Sequence, residues 1–383
     1  MKTMKTGLLT VILATVLVAG IAGQGQAARL KSQPKPQDNE LRRILSGAFA
    51  RWDTNHNGTL TPPEIIGVLG DPQTGRDEAA AATVVQHGFD VKHGDGTTRT
   101  LSLADVLALA ANPESEKQFN KIRRHMASVG HELFLPGDPN IDTIRQGAVG
   151  DCYLLSPIAA LVLSDPQAIR SMIRPAGDGF DVAFRDGTTI HVTPMTDSEL
   201  ILPGLRGKTA HGIWLSVLQK AYSQIKREKA QDKRGPSFPA EDYSERNILG
   251  GGNPGGVIKL LTGHQSSRLN TRPRTGETEA QATARVAEML TRLTQAHRLM
   301  TTRAGQADEV LPAHIPRDHF FAVLGYDPAR RIVHVFNPWG NNVTPLSPPG
   351  LVNGYPTHQG HFDVPLDEFV KVFGSVIYET DRA

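Results

Sequence analysis

Gln146-Gly147-Ala148-Val149-Gly150-Asp151-Cys152-Tyr153 leads without a break into Leu154-Leu155-Ser156-Pro157-Ile158-Ala159-Ala160-Leu161. A glycine-rich turn followed by an uncharged apolar run predicts a buried helix over 152–163, with Cys152 in its first turn. There the unsatisfied backbone N–H groups and the helix dipole favour the thiolate, the reactive form of cysteine. Gln146, on the other side of the turn, could place its amide N–H beside the backbone N–H of Cys152, and such a donor pair can hold a developing oxyanion. Read alone, the stretch equally fits a small buried cysteine at the start of a core helix.

Cys152 is the only cysteine among 383 residues. That excludes an internal disulfide framework and any zinc or iron–sulfur site built on paired cysteines. Lys and Arg number 41 against 39 Asp and Glu, a formal charge of +2. Near-neutrality argues against nucleic acid as a partner, because phosphate binding needs a concentrated basic surface. A content of 39% hydrophobic and 21% charged residues suits globular domains, and the length suggests two or three of them.

Residues 1–27 read as a secretory signal peptide. Lys2 and Lys5 precede the apolar stretch Gly7–Ala22, and Gly25 and Ala27 occupy the small-residue positions of a cleavage site. The apolar stretch is shorter than the ~20 residues of a membrane-spanning helix. The expected product is therefore cut near Ala27, secreted or periplasmic, monomeric, and without an integral membrane segment. Exported proteins usually pair their cysteines, which leaves Cys152 as a buried hydrophobe, an intermolecular link or a nucleophile.

Two later segments bear on that choice. Asp318-His319 precedes the strand-like run 320–325, and the run 332–336 ends on Asn337-Pro338-Trp339-Gly340. Adjacent strands joined by a turn at Asp327-Pro328-Ala329 would set His319 beside Asn337. An Asn that accepts from one ring nitrogen fixes the tautomer and leaves the other nitrogen for a thiol, and Trp339 would shield that bond from water. Elsewhere, alternation over 180–184 and 189–192 around Asp186-Gly187 predicts a hairpin. Helices are predicted over 213–230 and 280–300, with the Lys/Arg cluster of 220–234 read as a solvated helix face.

Taken in order, these motifs resemble the calpain family of papain-fold cysteine peptidases over roughly residues 140–375. They are Gln146-Gly-x-x-Gly-Asp-Cys152-aromatic-Leu-Leu, the helix Ile213–Tyr222, Leu249-Gly250-Gly251-Gly252 with Leu260-Leu-Thr-Gly263, Asp318-His319 and Asn337-Pro-Trp-Gly340. The resemblance implies an α+β fold, a papain-like core with a helical lobe around Cys152 and a β-rich lobe carrying His319 and Asn337. It implies Cys152 as nucleophile, His319 as general base and acid, Asn337 as its orienter and Gln146 as oxyanion donor. Protein or peptide substrates would lie between the lobes against Gly250, Gly251 and Gly252, near Asp318 and Trp339. Tyr153 departs from the usual Trp, and Asp318 from the usual Gly. A non-catalytic calcium-dependent peptide-binding module and a transglutaminase-like thiol acyl-transferase are the rival readings. The presence of all four catalytic residue types speaks against the first.

Ahead of the catalytic region (140–383), residues 28–39 read as a flexible leader and 40–130 as a small all-α domain. Leu41, Ile44, Leu45, Ala48, Phe49 and Trp52 recur on one helical face. Asp53–Glu64 then fits the twelve-residue EF-hand loop: Asp53, Asn55 and Asn57 at positions 1, 3 and 5, Gly58 at the sharp turn, the Thr59 carbonyl at 7, and Glu64 as bidentate ligand. Ca2+ is the expected cofactor, bound more weakly than by an aspartate-rich loop because only Asp53 and Glu64 carry charge. A pairing partner with a longer loop is expected around Asp90–Asp105, and the helical unit is expected to stabilise or position the catalytic unit. The glycines of Gly250-x-Gly252-x-x-Gly255 match a dinucleotide fingerprint formally but lack a preceding buried strand. Gly204–Thr209 imitates a phosphate loop with Leu202 where its first glycine belongs.

Overall fold

The computed structural model describes residues 39–89, 100–147, 150–201, 211–234, 249–305 and 311–380. The expected signal peptide, almost all of the expected leader, the first part (90–99) of the expected second metal loop and the phosphate-loop look-alike lie outside these residues.

The N-terminal region consists of α1 (Glu40–Trp52), α2 (Pro62–Gly70), α3 (Arg76–Phe89), α4 (Leu103–Ala111) and α5 (Pro113–Met126). Asn39 caps α1, its side chain accepting from the Arg42 N–H at 2.8 Å. The predicted apolar face buries Leu41, Leu45, Ala48, Phe49 and Trp52 in one core with Ile65, Val85 and Phe119. The region is not wholly α. Strand β1 (Thr59–Leu60) pairs antiparallel with β2 (Leu101–Ser102), setting Leu60 opposite Leu101.

Helix α6 (Cys152–Ser164) is buried from Cys152 to Val162, as its uncharged sequence requires. After α7 (Pro166–Met172), the predicted hairpin forms as β4 (Gly179–Ala183) and β5 (Thr189–Val192), with Phe180 opposite Val192. A third strand, β3 (Ile173–Ala176), adds to β4. Pro175 hid it from the sequence reading, since proline is tolerated only at such an edge. Helices α8 (Asp197–Ile201), α9 (Trp214–Arg234) and α10 (Pro254–Thr262) complete the helical lobe.

The β-rich lobe is a six-stranded antiparallel sheet in the order β10-β9-β8-β7-β11-β6. Its strands are β6 (Ser266–Asn270), β7 (Met300–Ala304), β8 (Phe320–Asp327), β9 (Ile332–Phe336), β10 (His361–Pro365) and β11 (Phe373–Glu379). α11 (Glu279–Gln295) and α12 (Leu366–Val372) cover it. The helix predicted to reach residue 300 stops at 295. His297 adopts a left-handed φ of 53°, and the β-branched run from Met300 begins a strand instead. Across the lobe boundary α6 packs on β8, and Ala322, Phe336 and Ile377 join the core around α6.

Two features revise the reading of 220–234 as a solvated face. Lys220 is buried, with its Nζ 2.7 Å from Glu199 of α8, and Lys226 is half-buried. α9 is covered on several sides, so part of its charged face points inward. The helical region joins the rest through α8, which packs on α2, α3 and α5. Thr196 donates its hydroxyl to the Leu69 carbonyl at 2.7 Å, and Arg76 pairs with Asp197 at 2.9 Å. Among the described residues no single helix is long and apolar enough to cross a membrane.

Candidate active site

Cys152 is the first residue of α6 and 8% exposed. The Asp151 carbonyl accepts the Leu154 and Leu155 N–H groups at 2.8 and 3.0 Å, closing the first turn. The Asp151 side chain leaves the helix end uncapped and lies fully buried. Its Oδ2 accepts from Gln219 Nε2 at 2.7 Å, and its Oδ1 has no partner. Burial raises its pKa to about 7 against the opposing Gln219 bond. The thiol next to it departs from the sequence expectation. Burial pushes Cys152 up, the Phe320 N–H works the other way, and the charge of Asp151 adds to the rise. In this structure desolvation outweighs the helix N-terminus, so the thiol is the favoured form rather than the thiolate.

His319 directly precedes β8 and Asn337 directly follows β9. The antiparallel register, with Ala322 opposite Phe336, brings the two side chains together: His319 Nε2 lies 2.8 Å from Asn337 Oδ1. The same oxygen accepts the Trp339 N–H at 3.0 Å, and Asn337 Nδ2 donates to Asn341 Oδ1 at 3.2 Å. The amide is thereby fixed with its oxygen toward the imidazole, which leaves Nδ1 of His319 for another partner. The Trp339 ring covers His319 at 4.7 Å between centroids and Phe321 meets it edge-on at 4.8 Å. Burial lowers the His319 pKa to about 4 despite the Asn337 bond.

Asp318 holds a left-handed φ of 57° and pairs with Arg303. That conformation is the one glycine adopts without cost, and Asp is among the few other residues that tolerate it. Asp318 is largely exposed, facing its arginine.

Three loops are stitched together here, and the sequence showed only part of the stitching. The Gln146 N–H donates to the Pro338 carbonyl at 2.7 Å. A Cβ on Gly340 would fall 2.1 Å from Arg145 Nε, so a larger residue there would push the Arg145 side chain out of its place between the loops. The Gly251 N–H donates to the Gly150 carbonyl at 2.9 Å. Gly252 lies flat on the Tyr153 ring, where a Cβ would come within 2.2 Å of Cε2. Gln146, Cys152, His319, Asn337, Trp339 and Gly250–Gly252 thus share one region, at the junction of α6 with β8. Arg145, Asp151 and Gln219 were not singled out from sequence. A buried aspartate beside the thiol was legible only as part of a motif, and Gln219 read as one residue of an amphipathic helix. A thiol, an imidazole with one free nitrogen and an oriented amide are together equipped for acyl transfer to sulfur.

The loop Asp53–Glu64 is a separate candidate site. Asp53 accepts the Asn57 and Gly58 N–H groups at 3.1 and 2.8 Å, and Gly58 makes the turn at φ 80°. Glu64 accepts from Thr54 and Thr61, and although burial works to raise it, these hydrogen bonds carry its pKa below the usual carboxylate range. Two largely buried carboxylates with neighbouring amide and carbonyl oxygens form a donor set that fits a hard cation. The second half repeats the pattern. Thr61 gives its N–H and hydroxyl to Glu64 at 2.9 and 2.7 Å, and Ser102 gives the same pair to Asp105 at 3.0 and 2.7 Å.

A model of the calpain family cysteine protease matches residues 103–344. No curated protein matches the chain. The matched span begins inside the helical region, at α4, and includes Cys152, His319 and Asn337. It ends before β10, α12 and β11. It covers more than half of the sequence, and the α+β architecture agrees with it: the chain belongs to the calpain family of cysteine proteases and is a cysteine-type peptidase.

Proposed function

We propose that the chain is an exported endopeptidase that cleaves peptide bonds in protein substrates with Cys152, His319, Asn337 and Gln146, and that it binds calcium through Asp53–Glu64. The single observation carrying the catalytic assignment is the 2.8 Å bond from His319 Nε2 to Asn337 Oδ1, one residue away from the Phe320 N–H that faces the thiol. In this mechanism His319 Nδ1 takes the Cys152 proton as sulfur attacks the carbonyl carbon. The oxyanion is held by the Cys152 N–H and the Gln146 amide, in the manner of an oxyanion hole. His319 returns the proton to the departing amine as the C–N bond breaks, leaving a thioester. Water, deprotonated by His319, then releases the acid and restores the thiol. Asn337 holds the ring throughout, and Trp339 keeps bulk water off their bond.

Bound calcium would neutralise the clustered Asp53 and Glu64 carboxylates, with Asn55, Asn57 and the Thr59 carbonyl completing the shell. The signal-like Lys2–Ala27 supports export to the periplasm or beyond. Casein or mixed-peptide cleavage by the mature protein under reducing conditions tests the catalytic reading. Cleavage is expected from wild type and absent from Cys152→Ala and His319→Ala variants that keep the wild-type melting temperature. Undiminished cleavage by either variant would refute the assignment.

A further inference from the structure

We infer that Lys226 of α9 is a positioning residue that clamps the glycine loop to Tyr153 and so sets the shape of the cleft wall. Its Nζ donates to the Gly251 carbonyl at 2.8 Å and to the Tyr153 hydroxyl at 3.1 Å, and it stands 5.1 Å from the centre of the Tyr153 ring. The Tyr153 and Tyr222 side chains, the latter on the same helix, are themselves hydrogen-bonded partners. Gly251 therefore has both peptide groups occupied, its N–H by Gly150 and its carbonyl by Lys226, while it holds a left-handed φ of 72°. The next residue, Gly252, rests on the tyrosine ring.

This device depends on the departure from the family pattern at residue 153. A phenol oxygen can accept from an ammonium while donating onward, whereas an indole N–H can only donate. Lys226 is not needed to hold its helix, which is anchored in the core by Trp214, Val217, Leu218, Ala221 and Ile225. Its half-buried ammonium does work toward the loop instead. The inference rests on the reading of Gly250–Gly252 as substrate-binding.

Lys226→Met keeps the apolar stem and removes the donors; Lys226→Arg keeps a donor. Hydrogen–deuterium exchange of the 249–253 segment is measured alongside steady-state peptide cleavage. In Lys226→Met, exchange in that segment and KM are each expected to rise about tenfold, the scale of one charge-assisted hydrogen bond. kcat, the melting temperature and the iodoacetamide reactivity of Cys152 should stay near wild type. Lys226→Arg should recover most of both losses, and adding Tyr153→Phe to Lys226→Met should change little further. Unaltered exchange over 249–253 in Lys226→Met, or kcat falling while KM holds, overturns the clamp. If exchange rises as expected but the wild type cleaves nothing, the peptidase reading falls and the clamp stands.

Discussion

Asp151 sits fully buried beside Cys152, with one side-chain hydrogen bond, from Gln219, and a second oxygen without a side-chain or backbone partner. Its pKa of about 7 lies above the unfolded value of 3.8. The folded state therefore holds a proton that the unfolded chain releases between those limits. The stability this contributes is complete below about pH 4 and is lost as pH rises through 7. Asp151→Asn keeps the shape and removes the titration. Denaturant unfolding at pH 5 and pH 8 should show wild type losing stability relative to the variant by up to ~3 kcal/mol over that interval. A difference between the two proteins that is flat with pH would mean the carboxyl is ionised throughout. At this scale the sequence was partly legible. Cys152, His319 and Asn337 stood out only through the ordered set of motifs that resembles the calpain family; taken singly, a lone thiol at a helix start or a histidine before a strand was ambiguous. The burial that raises the thiol did not, because desolvation depends on which elements close over α6. Asp318 read only as an oddity, since a backbone angle is not written in composition.

The glycine loop and the two strands behind it show what the element scale adds. β8 and β9 were readable because apolar runs bounded by a turn signal leave few alternatives, and their register follows once both end at the site. β3, β6 and β7 lacked that periodicity and owe their place to neighbours. Three glycines separate the reasons for glycine here. Gly252 meets the Tyr153 ring, Gly251 has open space but a φ of 72°, and Gly256 in α10 has open space and an ordinary helical place. Replacement by Ala should rank accordingly in urea unfolding. Gly252→Ala should cost ~1–3 kcal/mol by overpacking, Gly251→Ala about 1 kcal/mol by strain, and Gly256→Ala should be neutral or stabilising by up to ~1 kcal/mol. A Gly252→Ala variant as stable as Gly256→Ala would show that the loop does not lie on Tyr153.

Across the whole molecule, the sheet is finished by strands beyond the family match. β10 pairs with β9 at one edge and β11 lies inside the sheet between β7 and β6, so His361–Pro365 and Phe373–Glu379 belong structurally to the same sheet as β8 and β9. Toward the other end, contacts run continuously from the Asp53–Glu64 loop to Cys152. α2 leaves that loop, its Leu69 carbonyl takes the Thr196 hydroxyl, and Glu199 in the following turn pairs with Lys220. On α9 the neighbour of Lys220 is Gln219, which holds Asp151. The sequence reading separated a helical unit from a catalytic one by texture, and texture carries no information about a short helix such as α8 bridging them. With that bridge, the two regions should unfold together, and calcium bound at Asp53–Glu64 should act on both. Weak modules of this kind have Kd values of about 10⁻⁴–10⁻³ M, so a few millimolar calcium should add about 1–2 kcal/mol and raise the melting temperature by a few degrees. Tryptophan fluorescence reports Trp52 in the helical core together with Trp214 in α9 and Trp339 over His319, and iodoacetamide labelling reports exposure of Cys152. Both probes should give one coincident transition, shifted equally by calcium, and Glu64→Gln should abolish the calcium shift while lowering the chelated baseline slightly, because the charged acceptor of the Thr54 and Thr61 N–H groups is lost. Two separate transitions, with only the lower one responding to calcium, would show that the helical region binds its ion without steadying the catalytic lobes.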